Sequence, residues 1–352
     1  VNVLLVNAFS PLATGARPSR GSIWAGGGGC NRLYQYTYYT TVEASTPFLA
    51  IYGAGAALFR VMGSSRISMW VSLVMNVINA AGNAILIFGF HRGVEGVAIP
   101  TLLSRMFTAA AMLFLLRRPN LPMQVEKLSL RHDRRIIRHI LRYGVTNGLE
   151  SSMFQLGKIL LLSTVAVLGT ASVAANAIGN TLCTFQCIAG NAVGLGIVTV
   201  VSQCVGAGDY QKARLYTKKL LKTTYLCMSL CILAVYFLMP AALQLYNVSG
   251  EAERCAYQII WMHGLFGLLI WPLAFTLPQA LRAAGDTTFT MIVSSVSMWT
   301  MRVCFGILLG RCLGYGVLGI WMAMFVDWAL RIAFFLPRFC GHRWELKAIG
   351  QG

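Results

Sequence analysis

Residues 159–208 read ILLLSTVAVLGTASVAANAIGNTLCTFQCIAGNAVGLGIVTVVSQCVGAG, 50 residues without a single Asp, Glu, Lys or Arg. As one helix this run would be about 75 Å long, more than twice the ~30 Å hydrocarbon core of a bilayer. It must therefore fold back on itself, and Gly169 and Thr170, followed by small residues to Asn176, are the expected turn. Two apolar helices back to back decide the class: an all-α, polytopic membrane bundle.

Outward from this run, apolar segments recur along the chain. Nine spans are expected, at about 44–59, 69–90, 97–116, 145–168, 178–204, 223–245, 256–281, 287–310 and 316–337. Of the 352 residues 57% are hydrophobic and 11% charged, against roughly 25% charged in soluble domains. The net charge of +18 does not point to nucleic acid, because the basic residues sit in short patches between apolar runs rather than on one folded face. Lys and Arg in alternate connections divide 19 to 3, with the sparse set being Arg92, Arg254 and Arg311. This bias predicts that the basic connections and the C-terminus face the cytoplasm.

Two basic stretches alternate Lys or Arg with apolar residues at helical spacing, and both are expected to lie along the membrane surface. One runs from Asp209, a suitable N-cap, to Lys222. The other, Ser129 to Tyr143, serves as a linker between bundles and can meet anionic lipid. The ten cysteines form no CxxC pair. Cys183 with Cys187 and Cys227 with Cys231 have helical i,i+4 spacing and read as small packing residues, while a Cys255–Cys312 disulfide is a weaker expectation.

The chain repeats itself. Leu58 to Met69 (LFRVMGSSRISM) aligns with Ala280 to Met291 (ALRAAGDTTFTM) at a constant offset, superposing Arg60 on Arg282, Gly63 on Gly285 and Met69 on Met291. One apolar span later, Gly96 superposes on Gly319. Both copies start on the same side, as in transporters built from parallel repeats. Four spans precede the second copy from Tyr143 onward but only one precedes the first, so the expected whole is a six-plus-six bundle of which nine spans are present. Residues 1–43 are an atypical N-terminal segment without a convincing apolar run or signal peptide.

Tyr143 to Lys158 (YGVTNGLESSMFQLGK), Gly194 to Asp209 (GLGIVTVVSQCVGAGD), Pro278 to Asp286 (PQALRAAGD) and Met75 to Gly89 (MNVINAAGNAILIFG) resemble, in order and spacing, segments of the multidrug and toxic compound extrusion (MATE) family. The resemblance covers about residues 44–345 and does not extend to the N-terminal segment. It implies two pseudo-symmetric six-helix lobes around a central cavity and secondary active efflux of organic cations or drugs in exchange for H⁺ or Na⁺. It implies no cofactor beyond the coupling ion, and no enzymatic chemistry. Residues 44–118 become the remainder of the N-lobe, 119–142 a cytoplasmic linker, 143–340 the C-lobe and 341–352 a cytoplasmic tail. The acidic residue that the family carries in its first helix has no counterpart in this sequence.

Charged groups within spans are costly, by about 2.5 kcal/mol or more near the helix centre, and are the first candidates for a pathway. Glu150, Gln155 and Lys158 share one span, with positions 150, 154 and 158 on one face. Glu150 could bind an organic cation or exchange a proton; as a structural residue it would anchor at the interface, offset by Lys158. Asp327 and Arg331 are spaced for an intrahelical ion pair or for a polar cavity lining. Arg105 and Arg302 lie deep in spans and require partners between helices. Asn180 and Gln186, one span from Glu150, are the uncharged residues expected to line the pathway, although Asn and Gln also hold helices together. His263 reads as a satisfied interior imidazole before a proton relay, and Pro272 with Pro278 as a kink that is either a gate or static packing.

The expected partners are membrane lipids and small organic, cationic substrates, and the expected location is the cell membrane. The runner-up is a lipid-linked oligosaccharide flippase of a related superfamily, which needs a more cationic cavity; an inactive truncated remnant is the third reading. A membrane-embedded enzyme is disfavoured, since no paired-Asp, HExxH or GxSxG motif is present.

Overall fold

The computed structural model describes residues 40–90, 95–117, 134–246, 250–342 and 344–345. Among them are nine long helices and no strand. The chain divides into two compact units, with the boundary between Ile137 and Arg138. Most of the N-terminal segment and most of the expected linker lie outside the described residues.

The first unit holds α1 (Thr46–Val61), α2 (Ser65–Ala84, continued by a π-helical turn over Ile85–Gly89) and α3 (Glu95–Leu116). Phe59 and Met112 pack with Ala56 and Leu116 as its core. Asn83 donates to Asn79 and Asn79 to Thr101, a polar ladder joining α2 to α3. Arg105 Nη1 donates to Ser45 Oγ at 2.5 Å, so the partner it requires is a hydroxyl.

The second unit continues along α4 (Arg134–Val167) and holds α5 (Thr170–Gly206), α6 (Tyr210–Tyr246), α7 (Gly250–Ala283), α8 (Thr287–Cys312) and α9 (Gly316–Cys340). α5 packs on α6 and α7, and α9 on α7 and α8. Met228, Ile259, Trp271, Trp321 and Trp328 form the larger core, with Cys183 and Cys187 buried among them as packing residues. Cys255 and Cys312 are both free thiols.

The turns explain the hairpins. The 50-residue apolar run folds back at Gly169, whose φ of +101° suits glycine; the small residues after it are already helix. At Gly63 and Gly285, with φ of +77° and +91°, the repeated motif closes both helices alike. Ser64 N–H donates to Phe59 O and Asp286 N–H to Leu281 O, both at 2.9 Å, the six-to-one bond of a Schellman motif. A third copy closes α5 at Gly208. The repeat reaches further than the sequence alignment: Phe90 N–H donates to Ile85 O and Leu313 N–H to Leu308 O, i→i+5 bonds at corresponding places in the two copies.

Both basic amphipathic stretches differ from expectation. Arg134–Val167 is one helix of 34 residues and Tyr210–Tyr246 one of 37, so neither Tyr210–Lys222 nor the described part of the other stretch, from Arg134 on, is a separate helix; residues 129–133 lie outside the described residues. No glycine or proline separates the basic residues from the apolar run that follows Lys222, and helical bonding simply continues. At 1.5 Å per residue the two helices are about 51 and about 56 Å long, long enough to carry their basic ends beyond a bilayer core.

Eight of the nine helices are long and apolar enough to cross a membrane. The exception among the nine is α4, where Glu150, Gln155 and Lys158 lower the hydropathy of the expected span. Large apolar side chains face outward, Phe237 at 85% exposure and Phe114 at 69%, the pattern of a surface solvated by lipid.

At the end of α9 the chain turns back. Trp344, 1% exposed, stacks on Phe339 and donates to its carbonyl at 3.1 Å. Arg214 near the start of α6 donates to Gly341 O at 3.0 Å and to Glu345 Oε1 at 2.5 Å, while His342 Nδ1 lies 2.8 Å from Glu345 Oε2. This strap ties the first turns of α6 to the last turn of α9.

Candidate functional site

Helical spacing on α4 puts Tyr143, Asn147, Glu150, Ser151 and Phe154 on one face, and all five line a single cavity of about 580 Å³ in the second unit. The opposite wall comes from the end of α7, where Phe275, Pro278, Gln279 and Arg282 repeat at three- and four-residue steps. Val198 of α5, Thr287 of α8 and Arg331 of α9 complete it.

The α7 wall is irregular for a covalent reason. Pro272 has no N–H to donate, and a π-helical turn spans Pro272–Thr276 before Leu277 N–H closes on Pro272 O. The interruption expected from Pro272 and Pro278 is therefore a change of helical pitch within a continuous helix.

Glu150 Oε1 accepts from Arg282 Nη2, tying α4 to α7 at the cavity. The buried Nε of the same Arg282 has no acceptor. Behind this pair lies a second ionic cluster. Asp327, fully buried, accepts from Arg331 Nε at 3.0 Å and from Ser297 Oγ, and its Oδ2 stands 3.9 Å from Arg302 Nη1. Arg331 Nη2 donates to Ser294 O at 3.3 Å. The expected intrahelical pair is present, and Arg302 joins it from α8.

One aromatic ring is shared by three cations. Lys158 Nζ, the Arg302 guanidinium and the Arg331 guanidinium lie 5.8, 5.4 and 5.9 Å from the centroid of Phe154, within reach of its negative face. Arg331 is also 5.0 Å from Phe275. Four cations, Lys158, Arg282, Arg302 and Arg331, thus gather with two carboxylates, Glu150 and Asp327, and both carboxylates are already engaged.

Of the sequence candidates, Glu150 and Gln155 line the cavity, Asp327 sits behind it through Arg331, and the exposed Lys158 reaches it through Phe154. Asn180 and Gln186 are elsewhere. Asn180 donates to Asn176 O within its own helix at 2.8 Å. Gln186, 0% exposed, donates to Ile260 O at 3.4 Å and meets His263 Nδ1 at 2.5 Å. His263 is enclosed edge-on by Trp321 and Trp328, as a satisfied interior imidazole would be. Sequence reasoning missed Arg282, Gln279 and Phe275 as lining residues. Charge counting puts Arg282 in a basic connection; its place as a landmark of the repeat, with Gln279 and Phe275 one and two turns before it, is the available signal.

Comparison with known proteins agrees with this architecture. The MatE family model matches residues 148–308, which include most of the cavity wall. A Bacillus subtilis (strain 168) protein named "Uncharacterized transporter YisQ" is 24% identical over 306 residues, covering 84% of this chain and 65% of that protein. A second from the same organism, named "Probable multidrug resistance protein YoeA", is 24% identical over 283 residues, covering 78% and 61%. The chain thus spans somewhat less than two thirds of the length of these relatives. Among solved structures, the one titled "Crystal structure of MATE in the bent conformation" superposes with a TM-score of 0.79 at 17% identity, over 99% of this chain and 76% of that one. The chain is a multi-pass membrane protein with the fold of the MATE structures, and its residues 148–308 match the MatE family model.

Proposed function

We propose that the chain acts in secondary active export of small organic compounds across the cell membrane, in exchange for H⁺ or Na⁺. The observation that carries this reading is the cavity between α4 and α7, where an ionisable pair, Glu150 and Arg282, joins α4 to a helix long and apolar enough to cross a membrane. Intramembrane charge of this kind is retained where it serves a pathway or an exchange of ions. Protonation of Glu150, or arrival of a cation at its carboxylate, would release Arg282 and change the charge the cavity presents. This gives an ion gradient a direct hold on substrate binding.

The basic connections, including the end of α5 to the start of α6, and the C-terminus face the cytoplasm in this reading, following the 19 to 3 division of Lys and Arg. Organic cations are the substrate class implied by the family resemblance, and the cavity's own charges bear on that expectation.

The test is movement of fluorescent organic compounds, ethidium and carboxyfluorescein among them, out of proteoliposomes carrying this chain under imposed proton or sodium gradients. Gradient-dependent movement that Glu150→Gln diminishes is the expected result. Absence of movement of every compound under both gradients would remove the reading.

A further inference from the structure

The ionic groups around the cavity do not balance. Glu150 neutralises Arg282, and Asp327 is shared by Arg331 and Arg302, which leaves two positive charges in excess when Lys158 is included. Unbalanced charge among membrane helices is costly, and an anion that enters relieves it. The donors needed are in place. Arg282 and Arg331 line the same cavity, and Arg282 Nε is buried without an acceptor. A guanidinium offers a planar fork that suits carboxylate and phosphate oxygens. Beside these donors lie the rings of Phe154 and Phe275, the latter stacked on Trp271 at 5.3 Å.

We propose that this cavity takes an amphiphilic organic anion, its carboxylate or phosphate head against Arg282 and Arg331 and its apolar body along Phe154 and Phe275. An organic cation in the same place would put like charge against two guanidiniums and would have to strip Glu150 from Arg282. The inference deepens the transport reading of the same cavity, by naming the substrate class, and rests on it.

The test is equilibrium binding to the full chain in phosphatidylcholine nanodiscs. The probes share one aromatic body and differ in head group: 2-naphthoate, 2-naphthyl phosphate and 2-naphthyltrimethylammonium, with farnesyl pyrophosphate as a lipid-borne anion. The anions are expected to bind saturably and about tenfold or more tighter than the ammonium compound, a difference of one charge-assisted contact. Arg282→Gln should weaken the anions about tenfold and spare the ammonium compound. Glu150→Gln, which removes the carboxylate competing for Arg282, should tighten the anions and keeps the test open should Arg282→Gln fail to fold. Naphthoate binding points to a water-soluble source and binding of farnesyl pyrophosphate alone to a lipid-borne one; both support the anion class. Equal or tighter binding of the ammonium compound, or anion affinity that neither substitution changes, overturns the proposal. Gradient-driven export measured on the same preparations separates the two failures. Export intact with the ammonium compound favoured removes only the anion assignment, whereas anion binding intact without any gradient-driven movement removes the transport reading.

Discussion

Glu150 on α4 and Arg282 at the end of α7 form an ion pair across 132 positions of sequence, at the wall of one cavity. Removing either partner leaves a largely buried charge uncompensated. Arg282→Gln is expected to lower stability by about 1–3 kcal/mol, read as a lower midpoint of unfolding in detergent. The double variant with Glu150→Gln should lose less than the sum of the two single changes. Strict additivity would mean that the pair contributes nothing.

Asp327 is the deeper of the two carboxylates and serves Arg331, Ser297 and Arg302 together. Asp327→Asn leaves two guanidiniums without their counter-ion and should cost about 3–5 kcal/mol. Combining it with Arg331→Gln should recover part of that loss, measured by the same unfolding midpoint. If Asp327→Asn unfolds like the parent protein, the cluster is ornamental to the fold.

At Gly190 the core is filled to the backbone: a Cβ there would stand 2.1 Å from Trp271 Cζ3. Gly190→Ala is expected to cost about 1–3 kcal/mol through overpacking. Trp271→Phe, introduced into that variant, removes the clashing atoms and should restore some stability, whereas in the parent protein it should only destabilise.

The strap at the end of α9 should respond to acid. Burial raises the pKa of Glu345, but hydrogen bonds from His342 and Arg214 outweigh it and hold the carboxyl below its ordinary value. A depressed folded-state pKa contributes stability that is present above the unfolded value, about 4, and is lost as pH falls through the lower folded value. Trp344 fluorescence should therefore report opening of the strap only in that acid window. Glu345→Gln should flatten the transition, and an unchanged transition in that variant would assign it to another group.

Orientation gives a further test. Cysteines introduced at Arg134 and Lys212, both exposed, should be labelled from the same, cytoplasmic side by a membrane-impermeant reagent. Labelling from opposite sides would contradict like-oriented repeats.

Chain chemistry alone determined the class, eight of the nine expected spans and the repeat. Burying a backbone in hydrocarbon demands closed helical hydrogen bonding, and the glycines at 63 and 285 mark the one conformation that ends both helices alike. Glu150 and Gln155 were legible as site residues because a polar group in an apolar helix is conspicuous wherever it points. Its partner was not. Whether Gln186 faced a pathway or His263, and whether Arg282 served a loop or a carboxylate, depended on which helix packed beside which. Local periodicity places a side chain on a face of its own helix, but only the packing of α4 against α7 and α9 decides what that face meets. The excess of positive charge around the cavity exists only once α8, with Arg302, joins those three helices.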